Sequence, residues 1–193
     1  MQKDTKAVLK KYWGFNSFRG SQEQIVAAVL EKKDVLALLP TGGGKSLCYQ
    51  LPALQLNGIC IVVSPLVALI QNQVDSLKEK GIKAIALTGG IPFNELDIIL
   101  DNCIYGNYKF LYLSPERLQQ TLIQQRIQQM NVNLIAIAEA HCISQWGHDF
   151  RPAYLKCSVL RMLLPDTNII ALTATATSKV CLLYTSPSPR DRG

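Results

Sequence analysis

The sequence predicts an α/β domain with a mostly parallel sheet covered by helices on both faces. Short, nearly continuous apolar runs recur along the chain, as expected of strands that are buried on both faces of a sheet. Segments with helical spacing of apolar residues lie between these runs, and such alternation favours parallel strands joined by helices. A length of 193 residues suits one domain of this kind.

Strands and helices are predicted in turn from the N-terminus. The predicted strands are Val35–Leu39, Ile59–Val63, Lys83–Leu87, Lys109–Leu113, Leu134–Ile137 and Asn168–Leu172. The predicted helices are Gln22–Lys32, Leu66–Lys80, Asn94–Asn102, Pro115–Met130 and Pro152–Leu163. Another helix is expected to start directly after Ser46. No internal repeat and no linker is found before residue 180.

Composition and charge narrow the class of protein. Hydrophobic residues make up 48% of the chain and charged residues 18%, which is typical of a globular protein and not of a disordered one. The net charge of +6 favours an anionic partner. No apolar run reaches about 18 residues, so no transmembrane span is predicted. The N-terminus lacks the apolar segment of a signal peptide.

The cysteines favour reduced thiols in a cytosolic protein. The chain has 6 cysteines with long, uneven spacing and no CxxC pair. This pattern indicates neither a zinc site nor a disulfide scaffold. We therefore expect small core side chains at most of these positions.

Residues 181–193 differ in composition from the rest of the chain, because they become rich in proline and serine. The stretch from Cys181 to Asp191 resembles the translation of a sequencing-library adapter. We therefore expect residues 181–193 to be a non-native, disordered tail, with the native reading frame ending near Val180. The alternative is a natural disordered tail.

A phosphate-binding loop is predicted after the first strand, where residues 39–46 read Leu-Pro-Thr-Gly-Gly-Gly-Lys-Ser. Consecutive glycines let the backbone turn tightly with its N–H groups pointing inward. Lys45 would reach the β- and γ-phosphates of a nucleotide, and Ser46 would ligate Mg²⁺. The strict GxxxxGK[ST] pattern would place glycine where this chain has Leu39. The alternative is a glycine-rich turn with no phosphate to bind.

An incomplete acidic motif follows the fifth predicted strand, at Ala138-Glu139-Ala140-His141. Nucleotide hydrolases commonly place an aspartate here to hold the Mg²⁺ shell, followed by a glutamate that orients the attacking water. Glu139 stands in the second position, but Ala138 stands in the first. A methyl group cannot ligate hydrated Mg²⁺, so Ser46 and the phosphates would hold the ion more weakly. An error or stray variant at position 138 is the alternative to an evolved inactive motor.

Residues 8–180 resemble the first RecA-like motor domain of RecQ-family DNA helicases, within helicase superfamily 2. The motifs that carry the resemblance are Phe18-Arg-Gly-Ser-Gln22, Leu39–Gln50, Ser64-Pro-Leu66, Ser114-Pro-Glu-Arg-Leu118, Ala138–Pro152 and Ala171-Leu-Thr-Ala-Thr-Ala176. The aromatic-rich stretch at 140–152 is the most specific, because other helicase families share the phosphate loop but not this extension. The resemblance implies a RecA-like P-loop fold for residues 1–180 and an ATP-dependent 3′–5′ DNA helicase that uses ATP and Mg²⁺.

The resemblance also implies a role for individual residues. The nucleotide would be bound by Phe15, Arg19, Gln22, Thr41, Gly42, Gly43, Gly44, Lys45 and Ser46. Catalysis would involve Lys45, Glu139 and His141. DNA binding and its coupling to hydrolysis would involve Ser64, Arg117, Trp146, His148, Phe150, Arg151, Thr173 and Thr175.

Structural alternatives exist for several of these residues. Phe15 and Phe18 could be core or capping residues, and His141 could be a structural histidine. Trp146 and Phe150 could be buried aromatics. The two Ser-Pro segments could be plain turns capped by serine.

The resemblance covers only half of a helicase motor, since the chain ends soon after Thr173–Ala176. The second RecA-like domain and its arginine finger are expected in the intact protein. With Ala138, we expect this fragment to bind ATP weakly, to hydrolyse it very slowly and not to unwind DNA. Two other functions remain open: a catalytically inactive nucleotide- or DNA-binding module, and an RNA helicase of the same superfamily.

The expected partners follow from the same resemblance. They are single-stranded and partly duplex DNA, with no membrane, and the oligomeric state is left open. The expected location is the cytoplasm, associated with the nucleoid, in a bacterium, or the nucleus in a eukaryote.

Overall fold

The structure is a computed structural model that describes residues 2–40, 44–138, 157–175 and 181–184. Its centre is a seven-stranded sheet in the order β3-β4-β2-β5-β6-β1-β7. The strands are β1 (Val35–Pro40), β2 (Ile59–Val63), β3 (Ala84–Leu87), β4 (Phe110–Leu113), β5 (Val132–Ile137), β6 (Ile169–Thr175) and β7 (Cys181–Tyr184). Strands β1 to β6 pair in parallel, and β7 is antiparallel to β1. The predicted mostly parallel α/β sheet is confirmed.

Helices cover both faces of this sheet. They are α1 (Gln2–Trp13), α2 (Gln22–Leu30), α3 (Leu47–Gln55), α4 (Val67–Glu79), α5 (Phe93–Tyr105), α6 (Pro115–Leu118), α7 (Thr121–Gln129) and α8 (Val159–Leu163). Helices α2, α3 and α4 pack on one face, and α5 to α8 pack on the other. Helix α1 packs outside α2 and α3. Among the described helices, none combines the length and the apolar character that crossing a membrane requires.

Strand periodicity divides the core into two clusters. Successive side chains of a strand point to opposite faces. In β2, Cys60 and Val62 face the cluster under α2–α4, while Ile61 and Val63 face the cluster under α5–α8. All five β2 residues are buried, because β2 lies near the middle of the sheet. This double burial explains the unbroken apolar run in the sequence.

Two elements differ from the sequence-based prediction, and a third lies partly outside the described residues. Helix α1 was not predicted as an element. The predicted helix Pro115–Met130 is broken between α6 and α7, where Gln120 is extended (φ −78°, ψ 132°) and the Gln124 side chain donates to the Leu118 carbonyl at 2.9 Å. The part of Pro152–Leu163 before residue 157 lies outside the described residues.

Strand β7 also differs from expectation, because its four residues were expected to be disordered. Residues 181–184 pair with residues 35–38 of β1. Without β7, β1 would be the edge strand and would present unpaired backbone N–H and C=O groups. The extended, apolar segment 181–184 pairs with these groups. Residues 185–193 lie outside the described residues, and the non-native origin of 181–193 stays a prediction.

Two buried asparagines fasten the C-terminal ends of α2 and α3. The Asn168 side-chain amide donates to the carbonyls of Val29 and Lys33, both at 3.1 Å. The Asn133 amide donates to two carbonyls at the end of α3, at 3.2 and 3.3 Å. The Val29 and Ala53 carbonyls also accept from the backbone N–H groups of Lys32 and Leu56, so the asparagines add further bonds that hold these helix ends to the sheet.

An ion pair ties α8 to the start of β1. Asp34 Oδ2 accepts from Arg161 Nη2 at 2.6 Å, and Asp34 Oδ1 accepts from the Ile169 N–H at 2.8 Å. We expect Arg161→Leu to lower the free energy of unfolding by about 1–3 kcal/mol, because the Asp34 carboxylate is only 9% exposed and would lose its cation. Urea unfolding measures this loss.

The exposed pair between Lys33 and Glu31 provides the comparison for that measurement. Both side chains are about half exposed, at 48% and 55%. Lys33→Ala should therefore cost less than about 1 kcal/mol. Equal losses in the two variants would contradict a stabilising role for the Arg161 contact.

Candidate functional site

Several of the predicted site residues that the structure describes lie at the carboxyl ends of the parallel strands. β1 ends at Pro40 and leads into the glycine loop, while β5 ends directly before Ala138. Because β1 and β6 pair in register, Thr173 lies beside Leu38 and Thr175 beside Pro40. The Thr-Ala-Thr segment therefore runs next to the residues that lead into the glycine loop. This edge is where open parallel sheets bind ligands.

The end of the glycine loop is held by Gln22. Gln22 is buried; its Oε1 accepts from the Arg19 N–H at 2.9 Å, and its Nε2 donates to the Gly44 carbonyl at 3.3 Å. Gly44 has φ +68°, and a Cβ there would lie 2.7 Å from Gln22 Nε2. The structure thus brings Gln22 and Gly44 into contact, and the nucleotide-binding role of both residues remains a prediction. Thr41, Gly42 and Gly43 lie outside the described residues.

The two phenylalanines before Gln22 have different surroundings. Phe18 packs against the cluster of Leu9, Val26, Leu47 and Leu51, so the core alternative holds for it. Phe15 is 49% exposed, and is not a core residue. The stacking role of Phe15 and the role of exposed Arg19 remain predictions.

A cavity of about 300 Å³ lies between the glycine loop and α4. Its lining includes Lys45, Ser46, Ser64 and Ala138. A lysine cation, two serine hydroxyls and the start of α3 suit an anion such as phosphate. The volume is at the lower end of the range for small-molecule sites.

The described residues fit Mg²⁺ less well than they fit phosphate. Ser46 offers one hydroxyl oxygen, and Ala138 offers only a methyl group. Within the described part of the chain, no cluster of three or more His, Cys, Asp or Glu side chains could hold a metal ion. The Ala138 N–H donates to the Val63 carbonyl at 2.8 Å, so its position is set by the pairing of β5 with β2. Any Mg²⁺ here would depend on Ser46, on nucleotide oxygens and on groups beyond Ala138.

Several predicted site residues lie in the undescribed segment that follows Ala138. These are Glu139, His141, Trp146, His148, Phe150 and Arg151. Their roles in hydrolysis and DNA coupling stay predictions from the resemblance.

The two Ser-Pro segments make local hydrogen bonds. Ser64 Oγ accepts from the Leu66 N–H at 3.4 Å. Ser114 Oγ accepts from the Arg117 N–H at 3.3 Å and caps α6. The Arg117 guanidinium donates to the Thr88 carbonyl at 2.7 Å and to the Gln120 side chain at 3.1 Å. These bonds fit the capping-turn alternative, while the backbone-binding role of Ser64 and Arg117 remains a prediction.

The sequence-based prediction missed a buried polar network beside the cavity. Tyr49 and Tyr112 share a hydrogen bond of 2.6 Å between their hydroxyl oxygens. Gln50 Nε2 donates to Tyr112 Oη at 2.9 Å and to Gln73 Oε1 at 3.0 Å. Burial raises the pKa of both tyrosines, so both hydroxyls stay protonated at neutral pH. The only signal in the sequence was a Tyr-Gln pair within an otherwise apolar stretch after Ser46.

The buried thiols are expected to resist alkylation. Burial raises the pKa of Cys48, one turn after the glycine loop, and of Cys103 to about 12. Since the thiolate is the reactive form, labelling of these two residues by iodoacetamide at pH 8 should be negligible in the folded chain. Peptide mapping should show the rate rising about tenfold per pH unit up to pH 10, with no plateau. A plateau near pH 9 without unfolding would contradict the burial effect.

Comparison with known proteins shows the family of the chain. Residues 19–183 match the model of the DEAD/DEAH box helicase family. The chain is 47% identical over 172 residues to the probable ATP-dependent DNA helicase RecS of Bacillus subtilis, a match that covers 89% of this chain and 34% of that protein. It is 46% identical over 170 residues to the ATP-dependent DNA helicase RecQ of Haemophilus influenzae, covering 88% of this chain and 28% of that protein. The chain thus spans about a third of the length of these relatives.

Solved structures show the same fold at lower sequence similarity. The DUF1998 helicase MrfA bound to DNA superposes with a TM-score of 0.70 at 22% identity, covering 89% of this chain and 26% of that one. A hypothetical ATP-dependent RNA helicase from Sulfolobus tokodaii superposes with a TM-score of 0.66 at 22% identity, covering 92% of this chain and 51% of that one. The RecA-like α/β fold is confirmed. The chain belongs to the DEAD/DEAH box helicase family, and its curated relatives place it with the RecQ-type members.

Proposed function

We propose that residues 1–180 form the first RecA-like domain of an ATP-dependent DNA helicase that moves 3′ to 5′ on single-stranded DNA. The observation that carries this proposal is the cavity at the carboxyl edge of the sheet, where Lys45 and Ser46 line one wall and Gln22 holds the neighbouring Gly44. This arrangement provides a cation, hydroxyls and a helix start for phosphates. The resemblance to DNA helicases supports the choice of DNA over other anionic partners.

The nucleotide is proposed to bind with its phosphates against the loop. Lys45 neutralises phosphate charge, and the N–H groups at the start of α3 point toward it. Mg²⁺ bound with the nucleotide would offset negative charge on its phosphates. Ser46 supplies one oxygen to that ion. Glu139 orients the attacking water, and His141 connects this site with residues 173–175.

DNA is proposed to cross the carboxyl edge of the sheet over Ser64 and Arg117, with further contacts from the aromatic residues of 146–151. Aromatic rings there stack on bases, while hydroxyls and cations hold the phosphate backbone. ATP binding closes this domain against a second RecA-like domain, and hydrolysis reopens the cleft. That second domain would supply an arginine finger, which is worth roughly 10³–10⁵ in rate in related hydrolases. By itself, this chain would hydrolyse ATP very slowly and unwind no duplex.

A second candidate is a nucleotide- and DNA-binding module without turnover. Ala138 favours it, because the described residues that line the cavity include no carboxylate. The variant Ala138→Asp in the full-length protein distinguishes the motor from the module. A strong rise in DNA-stimulated ATPase activity supports the motor, and no rise supports the module.

Binding of a fluorescent ATP analogue with Mg²⁺ tests the nucleotide site. Lys45→Ala should weaken this binding about tenfold or more, because a charge-assisted contact to phosphate is lost. Lys78→Ala, at an exposed position of α4 outside the cavity lining, is the matched control and should bind as the unmodified chain does. The proposal fails if the chain shows no saturable binding or if both variants bind equally.

Binding to oligothymidylate and to oligouridylate tests the choice of nucleic acid. We expect tighter binding to DNA, with affinity that falls as salt rises because phosphate contacts release counterions. Tighter binding to the RNA strand would favour an RNA helicase.

A further inference from the structure

The buried polar network joins three elements of the domain through side chains. Tyr49 and Gln50 lie on α3, Gln73 lies on α4, and Tyr112 lies on β4. Gln50 Nε2 has two protons, and it donates one to Tyr112 and one to Gln73. A single side chain of α3 is thereby bonded to both neighbouring elements.

Each of these elements leads to one part of the proposed site. Helix α3 begins directly after Ser46, at the phosphate loop. Helix α4 begins at Val67, directly after the segment Ser64-Pro65-Leu66. Tyr112 lies two residues before Ser114, which caps α6. The network therefore connects the phosphate loop to the two strand ends over which DNA is proposed to pass.

The surroundings allow this network to transmit a displacement. Tyr49, Gln50 and Tyr112 are between 1% and 4% exposed, so water cannot replace a broken bond cheaply. Either hydroxyl of the tyrosine pair can donate, so the pair can reverse its direction without losing the bond. Tyr49, Gln73 and Tyr112 also line the cavity next to Lys45, which gives their side chains room on one side.

We propose that Tyr49, Gln50, Gln73 and Tyr112 are positioning residues that couple nucleotide occupancy of the phosphate loop to the DNA-binding edge of the sheet. The proposal rests on the proposed function. A shift of α3 on nucleotide binding is passed to α4 by Gln50 and to the β4–α6 connection by Tyr112. Tyr49, Gln73 and Tyr112 face the proposed nucleotide cavity, and Gln50, which is outside its lining, joins Tyr112 to Gln73.

A binding cycle with Tyr112→Phe tests the coupling. The affinity for the fluorescent ATP analogue with Mg²⁺ is measured with and without saturating oligothymidylate, and the ratio of the two is the coupling factor. We expect a factor of about 5 or more for the unmodified chain and less than about 2 for Tyr112→Phe. Because Tyr112 lines the cavity, the readout is the coupling factor, a ratio of two affinities of the same variant, and not the affinity without DNA.

Tyr108→Phe is the matched control, because it removes a tyrosine hydroxyl outside the network and keeps the ring that Lys83 contacts at 4.6 Å. It should retain the coupling factor of the unmodified chain. A coupling factor near 1 in the unmodified chain would overturn the proposal. So would an unchanged factor in Tyr112→Phe.

Hydrogen exchange without any ligand separates this inference from the proposed function. Tyr112→Phe should speed amide exchange at the starts of α4 and α6 by about fivefold or more, while Tyr108→Phe should change it less than about twofold. Equal exchange rates in the two variants would overturn the proposal that the network couples α3 to α4 and α6. A chain that binds no nucleotide but shows this difference in exchange would refute the proposed function and retain the structural link.

Discussion

Replacing Ala138 with aspartate is expected to tighten Mg²⁺-dependent binding of an ATP analogue to this chain by about 10- to 100-fold. Ala138 lines the same cavity as Lys45 and Ser46, and it presents only a methyl group there. A carboxylate here would add a charged oxygen that can hold Mg²⁺ or its bound water, in the cavity that Ser46 also lines. The gain should vanish when the metal is removed.

The measurement compares affinities for the analogue in Mg²⁺ and in EDTA. Ala138→Asn is the matched control, since it has nearly the same shape as aspartate but no charge. Asparagine should gain less than about threefold, because a neutral amide oxygen is a weaker ligand for a hard cation. Equal gains from aspartate and asparagine, or a gain that persists in EDTA, would show that position 138 does not act through the metal.

Replacing Gly58 with alanine is expected to lower the free energy of unfolding by about 3 kcal/mol or more. Gly58 has φ +109°, a conformation that residues with a side chain rarely adopt, and an added Cβ would lie 2.2 Å from the Asn131 carbonyl oxygen. That oxygen accepts from the Ile59 N–H at 2.8 Å, where β2 begins beside β5. Relieving the clash would therefore disturb the pairing of two central strands.

Gly81→Ala separates the clash from the backbone strain. Gly81 also has a positive φ, of +80°, but no atom lies within 4 Å of its added Cβ. Its alanine variant should lose only about 1–2 kcal/mol, the cost of a left-handed backbone. Urea unfolding of both variants provides the comparison, and equal losses would mean that the contact with Asn131 relaxes freely.

The sheet was predicted well because its strands are buried on both faces. The run at residues 59–63 was predicted with its observed bounds, since every residue of β2 packs against one of the two core clusters. Helix α1 was missed although Val8, Leu9, Tyr12 and Trp13 recur at helical spacing and pack on the core. Thr5 on the same side donates a side-chain hydrogen bond to Gln55 at 3.1 Å. Four lysines lie in the same helix, so the segment lacks the apolar run that identified the strands.

The sequence predicted those residues of the candidate site that belong to a short motif. The glycine loop with Lys45 and Ser46 can be found from spacing alone, and the resemblance added Gln22, which the structure places against Gly44. The bonds among Gln50, Gln73 and Tyr112 join residues 23 to 62 positions apart. No local pattern encodes such separations, because they depend on how strands and helices stack.

Two asparagines, one in β5 and one directly before β6, hold the C-terminal ends of the helices that lead to the site. Asn168 fastens the C-terminal end of α2, and Asn133 fastens that of α3. The opposite ends of these helices carry Gln22 and follow Ser46. When such a helix rotates about its fastened C-terminal end, the N-terminal end undergoes the largest displacement. That end is the one next to the ligand site. Ligand-driven motion in this domain should consequently grow along α2 and α3 toward their N-termini.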